Sequence, residues 1–328
     1  MAPESRAAGR RPVSEFDLIL AEPGSAPSAA PSVAKTLPSG AQLQAVESSP
    51  QRAGFGDFAD NWALYRDPVL CAVLAGAGLG ALGVFVLLRR AVFLTAALSQ
   101  AAGLGVAVAF YLQIHWGLGV SPVAGALCAS VLATLLVGVR SSARVPRETW
   151  VGLAFVGTSA LAILFGDRIS QEAHDIADIL FGSAVLVRAE DVWFVLGGTG
   201  LAFVALLVLG RGLTFTGFDA EGARVQGLPV RAIEASFWVV FAIEVSVATR
   251  ALGALPVFAF AVLPAAAGLA LAERLRNAVA ISIAAGATSG GAGYVIAFLR
   301  DLPVGAAQAA LATVIALAAL VLSRWARA

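Results

Sequence analysis

The stretch LGVFVLLRRAVFLTAALSQAAGLGVAVAF, Leu82 to Phe110, decides the fold class. Two apolar runs meet at one arginine pair, Arg89-Arg90. Neither run alternates with a period of two, as the roughly ten-residue strands of a membrane barrel would. Each belongs to a window long enough for a bilayer-crossing helix, which needs about 20 mostly apolar residues. The arginines then mark a sharp break between two spans. Inside the second run lies a small polar pair, Ser99-Gln100.

The rest of the chain repeats this pattern. Apolar windows fall at 68–88, 92–112, 121–139, 149–166, 191–210, 233–252, 254–272, 278–299 and 303–322. The seventh is short and holds Pro256 and Pro264, so a broken or tilted helix is expected there. Residues 167–190 are too polar to span, although Ile179 to Val187 could form a short re-entrant helix under protein cover. The composition agrees. Hydrophobic residues make up 59% and charged residues 13%, with a mean hydropathy of +0.84. Soluble domains hold roughly 45–50% apolar and about 25% charged residues. The chain reads as an all-α, polytopic membrane protein with about eight or nine spanning helices.

Residues 1–60 are rich in Ala, Pro, Ser and Gly and read as a disordered tail, with the membrane domain over 61–328. No apolar run follows Arg10-Arg11, so a cleaved secretory signal is not expected. Arginines recur in alternate breaks: Arg89-Arg90, then Arg140, Arg144 and Arg147, then Arg211, Arg224 and Arg231, then Arg274 and Arg276, then Arg324 and Arg327. The positive-inside rule makes those breaks cytoplasmic and places the start of the first span outside.

Chemistry-bearing motifs are few. GAGLGALG, Gly76 to Gly83, matches GxGxxG, but it lies inside a spanning run rather than between a strand and a helix. Gly76 and Gly80 have the spacing of close helix packing, and Gly286, Gly290, Gly291 and Gly293 read the same way. Cys71 and Cys128 lie in apolar runs and read as buried thiols. The chain has two histidines, His115 and His174, and its single lysine, Lys35, sits in the tail. No HExxH, GxSxG or Walker lysine occurs, so the chain is not expected to be an enzyme. No basic tract points to nucleic acid.

Glu244 stands out in ASFWVVFAIEVSVATRALG, Ala235 to Gly253. A charge at the bilayer centre costs about 2.5–3.5 kcal/mol even on the lenient insertion scale. Such a residue faces a pathway or binds a ligand, is hydrogen-bonded as the acid within the bundle, or pairs with Arg250. In the outward stretch QEAHDIADILFGS, His174, Asp175 and Asp178 form a second candidate group. On a helix His174 and Asp178 share a face, where they could hold a divalent metal, though a solvated loop accounts for the same residues.

Several segments together resemble a known family. The Leu82–Phe110 stretch is similar to a segment in which Gly-x-Phe-x-x-x-Arg-Arg leads to a Ser-His and a Gly. ADILFGSAVLVRAEDVW, Ala177 to Trp193, resembles a Leu-Phe-Gly-Ser stretch with an acidic residue opening the next helix. FDAEGARVQGLPV, Phe218 to Val230, resembles a Phe-Asp-x-x-x-Ala-x-x-x-Gly-x-Pro loop. The Ala251–Val279 segment holds a Pro-Ala-Ala turn, and DLPVGAA, Asp301 to Ala307, a Leu-Pro-x-Gly. The family is the permease subunit of ABC importers for zinc, manganese or iron, with a type II importer fold.

The resemblance implies a homodimer in the bacterial inner membrane with its pathway at the two-fold axis. It implies ATP-binding subunits on separate cytoplasmic chains, an extracytoplasmic solute-binding protein and surrounding lipid. It implies no bound cofactor; the divalent metal is cargo. The turn Pro264-Ala265-Ala266 and the segment through Glu273, Arg274 and Arg276 become the element that couples to the ATPase. One departure is sharp. Many members carry an Asp and a His four apart on one helix face, where this chain has Ala96 and Gln100. Divalent metal then needs ligands elsewhere, with Glu244, His174, Asp175 and Asp178 as candidates. The alternatives are the same fold carrying a metal chelate or small organic solute, or a non-transporting membrane scaffold.

Overall fold

The computed structural model describes residues 55–139, 146–169 and 187–325. They form eleven helices and no strand. These are α1 (Phe55–Asp60), α2 (Trp62–Leu88), α3 (Val92–Trp116), α4 (Pro122–Val139), α5 (Arg147–Arg168), α6 (Ala189–Phe218), α7 (Ala220–Val225), α8 (Val230–Leu252), α9 (Ala254–Leu271), α10 (Leu275–Arg300) and α11 (Val304–Trp325). Eight of them, α2, α3, α5, α6, α8, α9, α10 and α11, are long and apolar enough to cross a membrane. The shorter apolar α4 fills the place of the third expected span.

Helix α2 is the centre of the bundle and packs against α6, α8, α9 and α10. Its small residues make this possible. A Cβ on Gly76 would strike the Gly286 carbonyl, and one on Gly80 the Ser282 carbonyl. From the other side, Gly286 meets the Gly76 carbonyl and Gly290 the Ala72 carbonyl. The GxGxxG match is therefore a packing seam, as lipid-embedded helices require when apolar burial alone gives little drive to associate. Gly105 and Gly125 bring α3 and α4 together in the same way. Large side chains fill the remaining core, with Phe237, Phe241 and Phe260 fully enclosed.

The two ends of the bundle are fastened differently. At the Arg89 end, the guanidinium donates to the Phe85 and Leu213 carbonyls at 3.1 and 3.2 Å and to Thr216 Oγ1 at 3.2 Å. It also lies 4.8 Å from the Phe237 ring centre. One side chain thus ties α2, α6 and α8 where the first span stops. At the opposite end, Phe58 of α1 stacks on Tyr65 at 5.3 Å and meets Phe298 at 5.2 Å. Helix α1 lies within the stretch expected to be tail, and that aromatic contact is what orders it.

Two further boundaries differ from expectation. The fifth span was expected to stop at Gly210, yet α6 runs on to Phe218. Hydropathy measures contact with lipid, whereas a helix continues past the lipid until something caps or breaks it. Here the stop is Asp219, which accepts from the Gly222 amide at 2.8 Å and starts α7. The second difference is a correction. Pro264-Ala265-Ala266 is not a turn: all three lie inside α9, with Pro264 and Ala265 buried. Pro264 packs against the bare face of Gly80 in α2. The chain turns later, at Ala272–Arg274, where Ala272 and Arg274 are extended and Glu273 and Arg274 are exposed.

Candidate functional site: a neutral groove and a separate buried acid

The Ser99-Gln100 pair opens onto a groove of about 740 Å³ between α3, α5 and the start of α9. Helix α3 contributes Phe93, Ala96, Ser99 and Gln100. Helix α5 contributes Glu148, Gly152, Phe155 and Ser159, among others, and α9 contributes Ala254, Leu255 and Phe258. A helix turns once in 3.6 residues, so Ala96 and Gln100 present themselves one above the other. Ser99 turns its hydroxyl back to the Ala96 carbonyl at 3.0 Å and offers the groove little. Gln100 is half-buried and lines the groove. The site at which the resemblance places an acid and an imidazole is thus apolar at Ala96 and neutral at Gln100.

Glu244 does not line this groove. It sits on α8, fully buried, facing α2 and α6. Thr199 donates to Glu244 Oε1 at 2.9 Å and lies 3.3 Å from the Leu74 carbonyl. Glu244 Oε2 has no hydrogen-bond partner among the described residues. Two glycines make the space: a Cβ on Gly78 would strike Oε1, and one on Gly198 would lie 2.8 Å from Oε2. Of the roles open to Glu244, pairing with Arg250 is not realised. Six residues along a helix leave the two side chains roughly 120° apart and raise one about 9 Å above the other. Arg250 reaches Asp191 instead, at 3.8 Å. Asp191 also accepts from the Arg188 amide at 2.9 Å and so caps α6.

His174, Asp175 and Asp178 lie outside the described residues. Among the described residues, no three His, Cys, Asp or Glu side chains come together in a way that could hold a metal. His115 stacks on Tyr111 at 4.2 Å, near the far end of α3 from Gln100. The residue that sequence reasoning passed over is Glu148. It precedes the apolar window by one position, so it reads as a loop charge, whereas the helix begins at Arg147 and carries it onto the groove.

The chain is similar to known transport proteins over most of its length. A family model described as the ABC 3 transport family matches residues 62–323. The manganese import system permease protein ScaB of Streptococcus parasanguinis is 27% identical over 241 residues, covering 73% of this chain and 84% of that protein. The manganese transport system membrane protein MntC of Halalkalibacterium halodurans is 27% identical over 247 residues, covering 75% and 82%. Among solved structures, PsaBC from Streptococcus pneumoniae in complex with Fab superposes with a TM-score of 0.73 at 23% identity, over 81% of this chain and 95% of that one. The shared fold, the eight apolar helices and a family match running from the first residue of α2 almost to the end of α11 agree: the chain belongs to the ABC 3 transport family, as a multi-pass membrane permease and not an enzyme.

Proposed function

We propose that this permease imports a divalent metal ion, of the manganese class, using ATP hydrolysed on partner chains. One observation carries the coupling. Helix α9 lines the groove at its start, through Ala254, Leu255 and Phe258, and ends at the exposed bend Ala272–Arg274. An unbroken 18-residue helix thus joins the candidate pathway to the candidate docking point for an ATPase. The arginine pattern puts that bend in the cytoplasm. Glu273, Arg274 and Arg276 would meet the ATP-binding subunit there.

The groove opens on the flank of a single chain, so a second copy facing it would close the pathway on a two-fold axis. The outward ends of the helices would receive the solute-binding protein. When the ATP-binding subunits close, the bend moves and α9 carries that motion to the groove wall. The chain makes and breaks no bonds; it supplies alternating access in the bacterial inner membrane. The names of the relatives, which speak of manganese, support the choice of cargo. The test is reconstitution of the permease with its ATP-binding subunits and binding protein in vesicles. ATP-dependent manganese uptake is the expected result. Hydrolysis without uptake of any divalent ion, or uptake of an organic solute instead, would overturn the reading.

A further inference from the structure

Two contacts between α6 and α8 set the depth of the bundle in a bilayer. Near the outer end Asp191 faces Arg250 at 3.8 Å. Near the inner end a Cβ on Gly212 would lie 3.0 Å from the Ile233 side chain. Gly212 follows Asp191 by 21 residues along α6, a rise of about 32 Å. The hydrocarbon core of a bilayer is about 30 Å thick. It therefore fits between these two levels, with Thr199 and Glu244 inside it. The end of α6 after Gly212, all of α7 and the first residues of α8 then stand in or just below the headgroup layer, on the arginine-rich side.

That joint carries a basic recess. Arg224 of α7 and Arg231 of α8 line a cavity of about 490 Å³ with Pro229, Val230 and Ala232. Both arginines are exposed, and neither makes an ion pair or a side-chain hydrogen bond among the described residues. Each has an acid three residues away, Glu221 and Glu234, at the spacing of an ordinary helical pair, and takes neither as partner. The same joint exposes apolar surface: Phe218 is 70% exposed and Val225 89%. On α8, Arg231, Ala235 and Val239 recur every four residues and are all exposed. They share one face, so an apolar stripe climbs from the recess into the hydrocarbon layer. The positive-inside rule accounts for arginines anywhere in this break. It does not require two unpaired arginines on one recess with apolar surface beside and above them. That combination suits an amphiphile with an anionic head, whose phosphate oxygens match the planar donor fork of arginine.

We propose that the α6–α7–α8 joint binds an anionic phospholipid of the cytoplasmic leaflet, its phosphate on Arg224 and Arg231 and an acyl chain along Ala235 and Val239. The binding is independent of the cargo, so its failure would leave the import reading intact. The test titrates the full permease in detergent with phosphatidylglycerol, taking phosphatidylcholine as the neutral reference. Native mass spectrometry follows bound lipid, and thermal melting follows folding. Phosphatidylglycerol should bind and raise the melting temperature. Arg224→Gln with Arg231→Gln should weaken that binding by at least about tenfold, the combined effect of two arginines at an anionic surface, with melting in phosphatidylcholine unchanged. Each single change should weaken it by a few-fold, and Arg224→Lys with Arg231→Lys should retain it. Arg274→Gln with Arg276→Gln removes the same charge from another cytoplasmic break and should leave lipid binding as in the wild type. Equal weakening by that control pair would show general attraction to inner-face charge and overturns the proposal, as does wild-type binding in the singles and the glutamine pair alike. Displacement of the lipid by inorganic phosphate would mark a free-anion site and also overturns it. So does loss of ATP-binding-subunit pull-down in the glutamine pair with phosphatidylglycerol binding intact, which would assign the recess to a protein partner.

Discussion

Thr199 donates a hydrogen bond to Glu244 Oε1 across 2.9 Å, tying α6 to α8 in the middle of the bundle. The same hydroxyl lies within reach of the Leu74 carbonyl of α2. Three helices therefore meet at one polar point with no water-facing surface. A buried hydrogen bond is worth about 0.5–1.5 kcal/mol, and stranding one partner costs about 1–3 kcal/mol.

Glu244→Gln keeps the shape and an oxygen to accept from Thr199. It should fold normally, and manganese uptake should stay near wild type, because Glu244 lies off the groove. Glu244→Ala removes the tie and opens a void between Gly78 and Gly198, and should cost about 2–5 kcal/mol by analogy with other large-to-small core changes. Thermal unfolding in detergent and vesicle uptake would check the two effects separately. A collapse of uptake in a normally folded Glu244→Gln chain would return Glu244 to the pathway.

The glycine seam predicts a different failure. Gly80→Val in α2 or Gly286→Val in α10 would push backbone against backbone, where no flexible side chain can give way. Overpacking commonly costs about 1–3 kcal/mol and more where backbone must move. Both variants should lose yield and melt earlier, and Gly152→Val should not, since a Cβ there meets nothing within 4 Å. Size-exclusion profiles and melting curves of the three would decide it.

How legible this was from the chain depends on what each residue reports. Apolar windows report contact with lipid, and each of the nine expected windows lies on a helix. They fall short where a helix runs past its apolar window, as α6 does beyond Gly210, and where a charge begins one, as Glu148 does in α5. Proline reports a missing backbone donor, not a turn, and Pro264 lies within α9 against Gly80. Glu244 was visible as an anomaly at once. Which neighbours it faces is not, because the sequence of a helix does not say which other helices its buried face will meet. Ala96 and Gln100 reached the groove through the family resemblance, and the structure placed Glu148 beside them.

Gly253 joins α8 to α9 at φ 90° and ψ 166°, a region essentially reserved for glycine. Any other residue there is strained by about 1–3 kcal/mol. The joint stands immediately before Ala254 and Leu255, which line the groove. Gly253→Ala should therefore retain ATP hydrolysis while manganese uptake drops, since the groove wall would no longer settle in its working position. Uptake and hydrolysis measured on the same vesicles would show the split; an equal fall in both would point to misfolding instead.

The bend after α9 gives the last test. Leu271 is 45% exposed, and Glu273, Arg274 and Arg276 are exposed beside it. An apolar tip flanked by charge is suited to a shallow cleft on a partner, and charge reversal at such a contact weakens docking through electrostatic mismatch. Arg274→Glu combined with Arg276→Glu should reduce binding of the ATP-binding subunit by at least about tenfold, equivalent to roughly 1.4 kcal/mol. Arg324→Glu is a single charge reversal at the end of α11, away from the bend in sequence, and should leave binding unchanged. Pro264→Ala should also leave it unchanged, because eight residues of helix, about 12 Å, separate Pro264 from the bend. Pull-down of the ATP-binding subunit by each permease variant reads all three. Equal loss with Arg324→Glu would show a general charge effect, and loss with Pro264→Ala would move the docking point back up α9.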